Sequence, residues 1–315
     1  MGMKLAFVFP GQGAQYVGMG KELCERYPVA RAVMEAADEA LGFSLSRLCF
    51  EGPEEELRLT YHTQPALLTV STLAHRVFHE LTGVRPVVTA GHSLGEYSAL
   101  VAAGVLSFED AVRLVHLRGR WMDEAVPAGR GAMSAVMGME AADLEAVCRE
   151  ASTPDEPVEV ANFNCPGQIV ISGAAGAVAR AGELAKARGA RRVIPLVVSG
   201  PFHSSLMKPA AERLAKALAE VTWHESGIPV MANVDAVART DVEGIRRALE
   251  VQLYQPVRWE DDVRAMLAMG IDGFVEFGPG TVLSGLIRKV DRRIPVFHVE
   301  DEASLRETIA ATTAE

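Results

Sequence analysis

The stretch Val87-Val88-Thr89-Ala90-Gly91-His92-Ser93-Leu94-Gly95-Glu96-Tyr97-Ser98-Ala99-Leu100-Val101-Ala102-Ala103-Gly104 decides the fold. An apolar run of strand character ends in a serine between two glycines, and a helix-like segment follows. A serine at such a strand-to-helix turn sits in strained backbone that only small flanking residues allow, which lifts its hydroxyl above the sheet edge. The helix that follows points its first N–H groups at the same spot, where an oxyanion would form. The bland alternative is a serine capping a helix in a tight turn.

The chain opens with an apolar run from Lys4 to Phe9, a glycine turn at Pro10-Gly11-Gln12-Gly13, and a helical pattern from about Tyr16 to Leu41. Strand, glycine turn and helix suggest an anion-cradling loop. It is not a dinucleotide fingerprint, because Tyr16 stands where the third glycine belongs. A second helical pattern, about Gln64 to Leu81, leads into the elbow strand. Helices following strands imply a parallel sheet covered on both faces.

The grammar changes after Pro127. Residues 132–137 read as a strand, 140–151 as a helix, 158–163 and 168–172 as a hairpin around Asn164-Cys165-Pro166-Gly167, 174–188 as a helix and 192–198 as a strand. That order is the split arrangement of ferredoxin-like folds. Strands then resume at about 228–233, 273–277 and 294–299. The fold class is α/β: a large α/β-hydrolase-like domain with a parallel sheet, residues 1–128 and 200–315, and an inserted small ferredoxin-like domain, residues 129–199.

Composition narrows the function. The 315 residues are 49% hydrophobic and 23% charged, so the chain can bury a large core. A formal net charge of -10 opposes non-specific nucleic-acid binding. No apolar run reaches the roughly 18 residues that span a bilayer, and the first residues lack the pattern of a signal peptide, which together predict a cytoplasmic protein. Cys24, Cys49, Cys148 and Cys165 show no paired spacing, so neither a disulfide framework nor a zinc site is indicated. His75 and His79 share a helix face, but no third ligand lies nearby.

A serine nucleophile needs a base. His92 adjoins Ser93, yet neighbouring strand residues face opposite ways. His203, in Ser199-Gly200-Pro201-Phe202-His203-Ser204-Ser205, lies at the seam where the small domain returns to the large one, and clefts form at such seams. It could equally cap the helix starting near Ser204. Hydrolase readings are weak: there is no glycine run for an α/β-hydrolase oxyanion hole, and Asp272-Gly273 opens a strand instead of ending one.

Eight motifs, in order along residues 4–300, resemble the malonyl-CoA:acyl carrier protein transacylase family. They are Phe9 to Gly13, Thr63-Gln64-Pro65-Ala66-Leu67-Leu68, Gly91 to Tyr97, Leu117-Arg118-Gly119, Asn164 to Gln168, Gly200 to His203, Gln252 to Val257, and Glu276-Phe277-Gly278-Pro279-Gly280. The resemblance implies Ser93 as nucleophile and His203 as base, the imidazole oriented by the backbone carbonyl of Gln252. Alanine at 252 would keep that carbonyl. The resemblance further implies an oxyanion hole from the N–H groups of Gln12 and Leu94, and substrate contacts from Arg118, Gln64, Phe202, Asn162 and Gln168. Arg118 would clamp the malonyl carboxylate, for which its planar fork is suited; taken alone, it is an ordinary helix arginine. Leu94 and Phe202 match the malonyl-selective pattern, whereas Gly200-Pro201 departs from relatives.

The implied reaction transfers malonyl from malonyl-CoA to the phosphopantetheine thiol of an acyl carrier protein through a serine ester, for fatty-acid biosynthesis, by a monomer that needs no metal or other cofactor. A stand-alone acyltransferase serving a polyketide synthase in trans would do identical chemistry. A non-catalytic carrier-docking module is opposed by the intact Ser93, His203 and Arg118. Two basic runs, Lys186, Arg188, Arg191 and Arg192, and Arg288, Lys289, Arg292 and Arg293, are candidate carrier contacts or simply solvated faces.

Overall fold

Every residue of the first strand is buried, Leu5, Phe7 and Phe9 on one face and Ala6 and Val8 on the other, as a strand covered on both sides requires. The computed structural model describes residues 1–314. In chain order the first part holds β1 (Leu5–Phe9), α1 (Lys21–Arg26), α2 (Pro28–Leu41), α3 (Leu45–Glu51), α4 (Glu54–Leu57), α5 (Thr60–Thr82), β2 (Val88–Gly91), α6 (Gly95–Ala102) and α7 (Phe108–Glu124). Next come β3 (Gly131–Met137), α8 (Ala141–Ala151), β4 (Val158–Cys165), β5 (Gln168–Ala174), α9 (Ala175–Ala187) and β6 (Arg192–Pro195). The chain finishes with α10 (Lys208–Glu220), β7 (Val230–Met231), β8 (Ala238–Arg239), α11 (Val242–Gln252), α12 (Trp259–Ala268), β9 (Gly273–Phe277), α13 (Val282–Val290), β10 (Val296–Val299) and α14 (Glu302–Thr312).

A six-stranded sheet runs β10-β9-β1-β2-β7-β8, parallel except for the β7–β8 pair. On the Phe7 and Phe9 face it packs against α5 and α6, with α2 and α7 laid against α5; on the Ala6 and Val8 face it meets Trp259 and Val263 of α12 and Leu283 and Ile287 of α13. A four-stranded antiparallel sheet, β4-β5-β3-β6, carries α8 and α9 over its own apolar face, the split βαβ arrangement expected from the order of elements. The small sheet is tied to the segment before α12 where Phe163 donates its N–H to the Val257 carbonyl and Val257 donates to Ala161.

Several boundaries differ from the sequence reading. The helix expected over 16–41 is interrupted, because Tyr27, held extended by the following proline, ends α1, and Pro28 starts α2. Short helices α3 and α4 fill a stretch with no strong periodicity. β6 stops at Pro195 instead of 198, and β7 is two residues long, not six.

Three parallel strands end side by side. The Gly11–Gln12 turn follows β1, Ser93 follows β2 and Asn233 follows β7, so the carboxyl edge of the sheet gathers the groups discussed below.

Candidate active site

Ser93 adopts φ 53°, the left-handed conformation that a nucleophile elbow imposes on a residue with a side chain. The flanking glycines are obligatory for contact reasons. A Cβ on Gly91 would overlap the backbone of Gly95, and one on Gly95 would overlap the carbonyl of Phe9. A Cβ on Gly11 would strike the carbonyl of His92, which shows how closely the first glycine turn lies against the elbow.

His203 also sits at positive φ, 57°. Its Nε2 is 2.7 Å from Ser93 Oγ, and its Nδ1 is 2.8 Å from the backbone oxygen of Gln252. A carbonyl only accepts, so Nδ1 carries the proton and Nε2 is the free lone pair facing the serine hydroxyl. Burial, followed by the charge of Arg118, lowers the His203 pKa to about 3, so the imidazole is neutral and able to take a proton at ordinary pH. His92 faces away: its Nε2 lies 2.8 Å from Asn164 Oδ1.

Arg118, on α7, is 1% exposed and makes no ion pair among the described residues. One terminal nitrogen donates to Gln64 Oε1 at 2.8 Å; the other donates to Gln252 Oε1 at 3.1 Å and to Ser93 Oγ at 3.2 Å. The guanidinium carbon lies 5.4 Å from the centre of the Tyr97 ring, and Nε has no partner. Burial lowers its pKa. A buried cation with no carboxylate at ion-pair distance among the described residues, donating to the serine hydroxyl, has the chemistry to accept an anionic group.

Gln64 stands behind Arg118, its amide nitrogen 3.3 Å from Met122 Sδ. Phe202 is buried immediately before His203, and Leu94 immediately after Ser93. The N–H groups of Gln12 and Leu94 donate to no acceptor among the described residues, although that of Ser93 is taken by Asn233 Oδ1 at 2.8 Å. Asn162 and Gln168 are not drawn into this group. Asn162 Oδ1 is buried without a partner, and Gln168 accepts a weak bond from the Cys165 thiol. A cavity of about 250 Å³ beside Gln12 is lined by Leu59, Thr60, Val197, Val198 and Ser199. A larger one, about 610 Å³, lies between α5 and α6 and contains none of these residues.

An acyl transferase domain matches residues 6–305 of the chain. The chain belongs to the acyl transferase family. Among its relatives, malonyl CoA-acyl carrier protein transacylase of Bacillus subtilis is 53% identical over 302 residues, covering 96% of this chain and 95% of that one. The protein of the same name from Escherichia coli K12 is 50% identical over 287 residues, 91% and 93% of the two chains. Among solved structures, an acyl carrier protein S-malonyltransferase of Vibrio cholerae superposes with TM-score 0.94 at 50% identity, covering 97% of this chain and 99% of that one. The malonyl CoA-acyl carrier protein transacylase of Coxiella burnetii superposes with TM-score 0.97 at 43% identity, covering 100% and 99%. The fold, with its parallel-containing sheet and separate antiparallel sheet, is that of this acyl transferase family.

The sequence reading expected only the carbonyl of Gln252 to matter. Its side chain is equally committed, with Oε1 on Arg118 and Nε2 on the Ser93 carbonyl at 3.0 Å and on Asn233 Oδ1 at 3.0 Å. Asn233, Glu96 and Asp262 were missed altogether. The available signal was a polar residue closing the strand at 228–233, but its pairing with the elbow, 140 residues away, has no local trace.

Proposed function

We propose that this acyl transferase moves the malonyl group of malonyl-CoA to the phosphopantetheine thiol of an acyl carrier protein, for fatty-acid biosynthesis, with Ser93 carrying the acyl group between the two. Ser93 Oγ attacks the thioester carbonyl as its proton passes to His203 Nε2. The resulting oxyanion is received by the N–H groups of Leu94 and Gln12. The C–S bond then breaks, and CoA leaves with the proton from His203. In the second half the carrier thiol gives its proton to His203 and attacks the ester, and Ser93 recovers that proton as the C–O bond breaks.

The single observation that carries the malonyl reading is the buried, unpaired guanidinium of Arg118 within 3.2 Å of the nucleophile. Gln64 and Gln252 hold it in place, so a carboxylate meets a preset fork. Phe202 fills space beside the base and disfavours branching next to the carbonyl; one methyl is worth roughly 1–3 kcal/mol of discrimination. Asn162 and Gln168 lie outside the Ser93, His203 and Arg118 group and are the weaker substrate contacts. The working unit is read as a monomer, with residues 1–128 and 200–315 as the large unit and 129–199 as the small one. The negative net charge and the lack of a described helix able to cross a membrane support a cytoplasmic location away from nucleic acid. Lys186 and Arg188 are engaged with Glu183 and Glu150, and Arg288 donates to the Val296 carbonyl, which leaves Arg191, Arg192, Lys289, Arg292 and Arg293 as the better carrier contacts.

The test is acyl selectivity. Incubation with malonyl-CoA should add a malonyl mass to the peptide carrying Ser93. Arg118→Ala should lose malonyl transfer by on the order of 10²-fold while acetyl transfer is kept, since acetyl lacks the carboxylate left unpaired. A uniform loss toward both acyl groups would refute the clamp. One solved neighbour, 45% identical, is a malonyl-transacylase in complex with a type II polyketide acyl carrier protein, so fatty-acid and polyketide carriers belong side by side in the same assay.

A further inference from the structure

Against the backbone of the elbow lies a buried polar group for which the reaction above has no role. Asn233 is fully buried and follows β7. Its Oδ1 accepts from the Ser93 N–H at 2.8 Å and from Gln252 Nε2 at 3.0 Å. Its Nδ2 donates to the Gly91 carbonyl and to Asp262 Oδ2, both at 2.8 Å, and its own N–H donates to Glu96 Oε1 at 2.7 Å. An N–H only donates and a carbonyl only accepts, so Ser93 and Gly91 together dictate which end of the amide is oxygen.

We propose that Asn233 is a positioning residue for acyl transfer: its one side-chain oxygen ties the backbone of the nucleophile to Gln252, whose carbonyl holds His203, and the buried Asp262 keeps that oxygen turned toward the elbow. The proposal rests on the roles of Ser93 and His203 given above. Its physical content is register. Ser93 and His203 come from distant segments, and both are held in left-handed backbone, which relaxes unless its surroundings over-determine it. Asn233 grips the first at its N–H and, through the Gln252 side chain, fixes the carbonyl that orients the second. The acid absent behind the histidine is thus present behind the nucleophile, where it acts through an amide. Asp262 is itself fully buried, and its carboxyl is pushed well above the usual carboxylate range by that burial. Having no cation beside it, it serves as a hydrogen-bonding group more readily than as a charge.

The experiment follows the sulfonylation of Ser93 by phenylmethanesulfonyl fluoride, in which the S–O bond forms, fluoride leaves and His203 takes the hydroxyl proton. Rates are measured by mass spectrometry for the wild type, Asn233→Ala and Asp262→Asn, each with and without His203→Ala. Asn233→Ala should slow sulfonylation and malonyl transfer alike by on the order of 100-fold, with KM for malonyl-CoA little changed, because a small misplacement of reacting groups has that effect. Asp262→Asn, which keeps the volume but can present either end of its amide, should slow both by about 10-fold in the same way. In the His203→Ala background both losses should shrink below about threefold, since no base remains for Ser93 to be aligned with. Equal losses in the two backgrounds would show a merely structural role, and undiminished rates would show no role; either overturns the proposal. If Asn233→Ala does not fold, the two Asp262→Asn measurements decide it. Wild-type protein sulfonylated at Ser93 but not malonylated by malonyl-CoA would defeat the proposed function and leave this inference standing.

Discussion

Two strand–turn–helix units of the large sheet, β2 into α6 and β9 into α13, have related shapes and are finished in opposite ways. At the first, the N–H of Ser93 is occupied by Asn233, and those of Gly95 and Glu96 turn back onto His92 and Ser93, while the N–H of Leu94 is left open. At the second, the buried carboxyl group of Glu276 accepts from the N–H groups of Leu283 and Ser284, at 3.2 and 2.9 Å, and from the Ser284 hydroxyl at 2.8 Å. On the function proposed above, the first helix start receives charge that develops during the reaction, whereas the second is sealed by a carboxyl group from its own strand.

The largest effect that separates the two units is loss of the base. His203→Ala should slow acylation of Ser93 by roughly 10²–10⁴-fold in single-turnover assays, with denaturant unfolding changed far less. A comparable loss from any change around Glu276 would erase the distinction. Glu276→Ala is the matching test of the sealed unit, and it should act on stability, costing roughly 1–3 kcal/mol for each buried donor left without a partner. The activity of the folded fraction should stay within about a factor of two. Burial raises the Glu276 pKa to about 7, so its native form holds a proton that the unfolded chain releases above about 4.5. Its stabilising contribution therefore declines as pH rises between those values, and the variant should lose more stability at pH 5 than at pH 8. Urea midpoints at the two pH values check the sign.

The smallest expected effect is an absence of change. With the His203 pKa lowered to about 3, the base is already neutral across the usual range, so kcat/KM should lack the acid limb near 6.5 that an unperturbed histidine would produce, staying level from about pH 8 to about pH 5. A limb at 6.5 would mean that the open unit is far more solvated than its geometry implies. The same shift makes acid favour the unfolded chain, because the histidine binds a proton below about 6.5 once released. His203 therefore stabilises the fold fully above that pH and progressively less as pH falls toward 3.

Much of this molecule is written locally. A serine between two glycines, after an apolar run and before helix formers, can make only a sharp turn, so the elbow and its nucleophile follow from short-range sterics. The order of apolar runs and helical patterns likewise announces the strands and helices between residues 131 and 195, although Pro28 and Pro195 break elements that periodicity alone would extend. The motifs naming Ser93, His203, Gln252 and Arg118 could also be read one after another along the chain. What the linear order does not contain is the wiring between them. Asn233 reaches Ser93 across 140 positions, Gln252 reaches it across 159, and Gln64 reaches Arg118 across 54. Each of these contacts joins a polar group to a partner chosen by how strands and helices pack, and hydrogen bonds of this kind leave no periodic trace. The same holds for the state of His203, Glu276 and Asp262: residue type sets their ordinary pKa, but burial, which belongs to the folded molecule alone, moves the histidine down and both acids up.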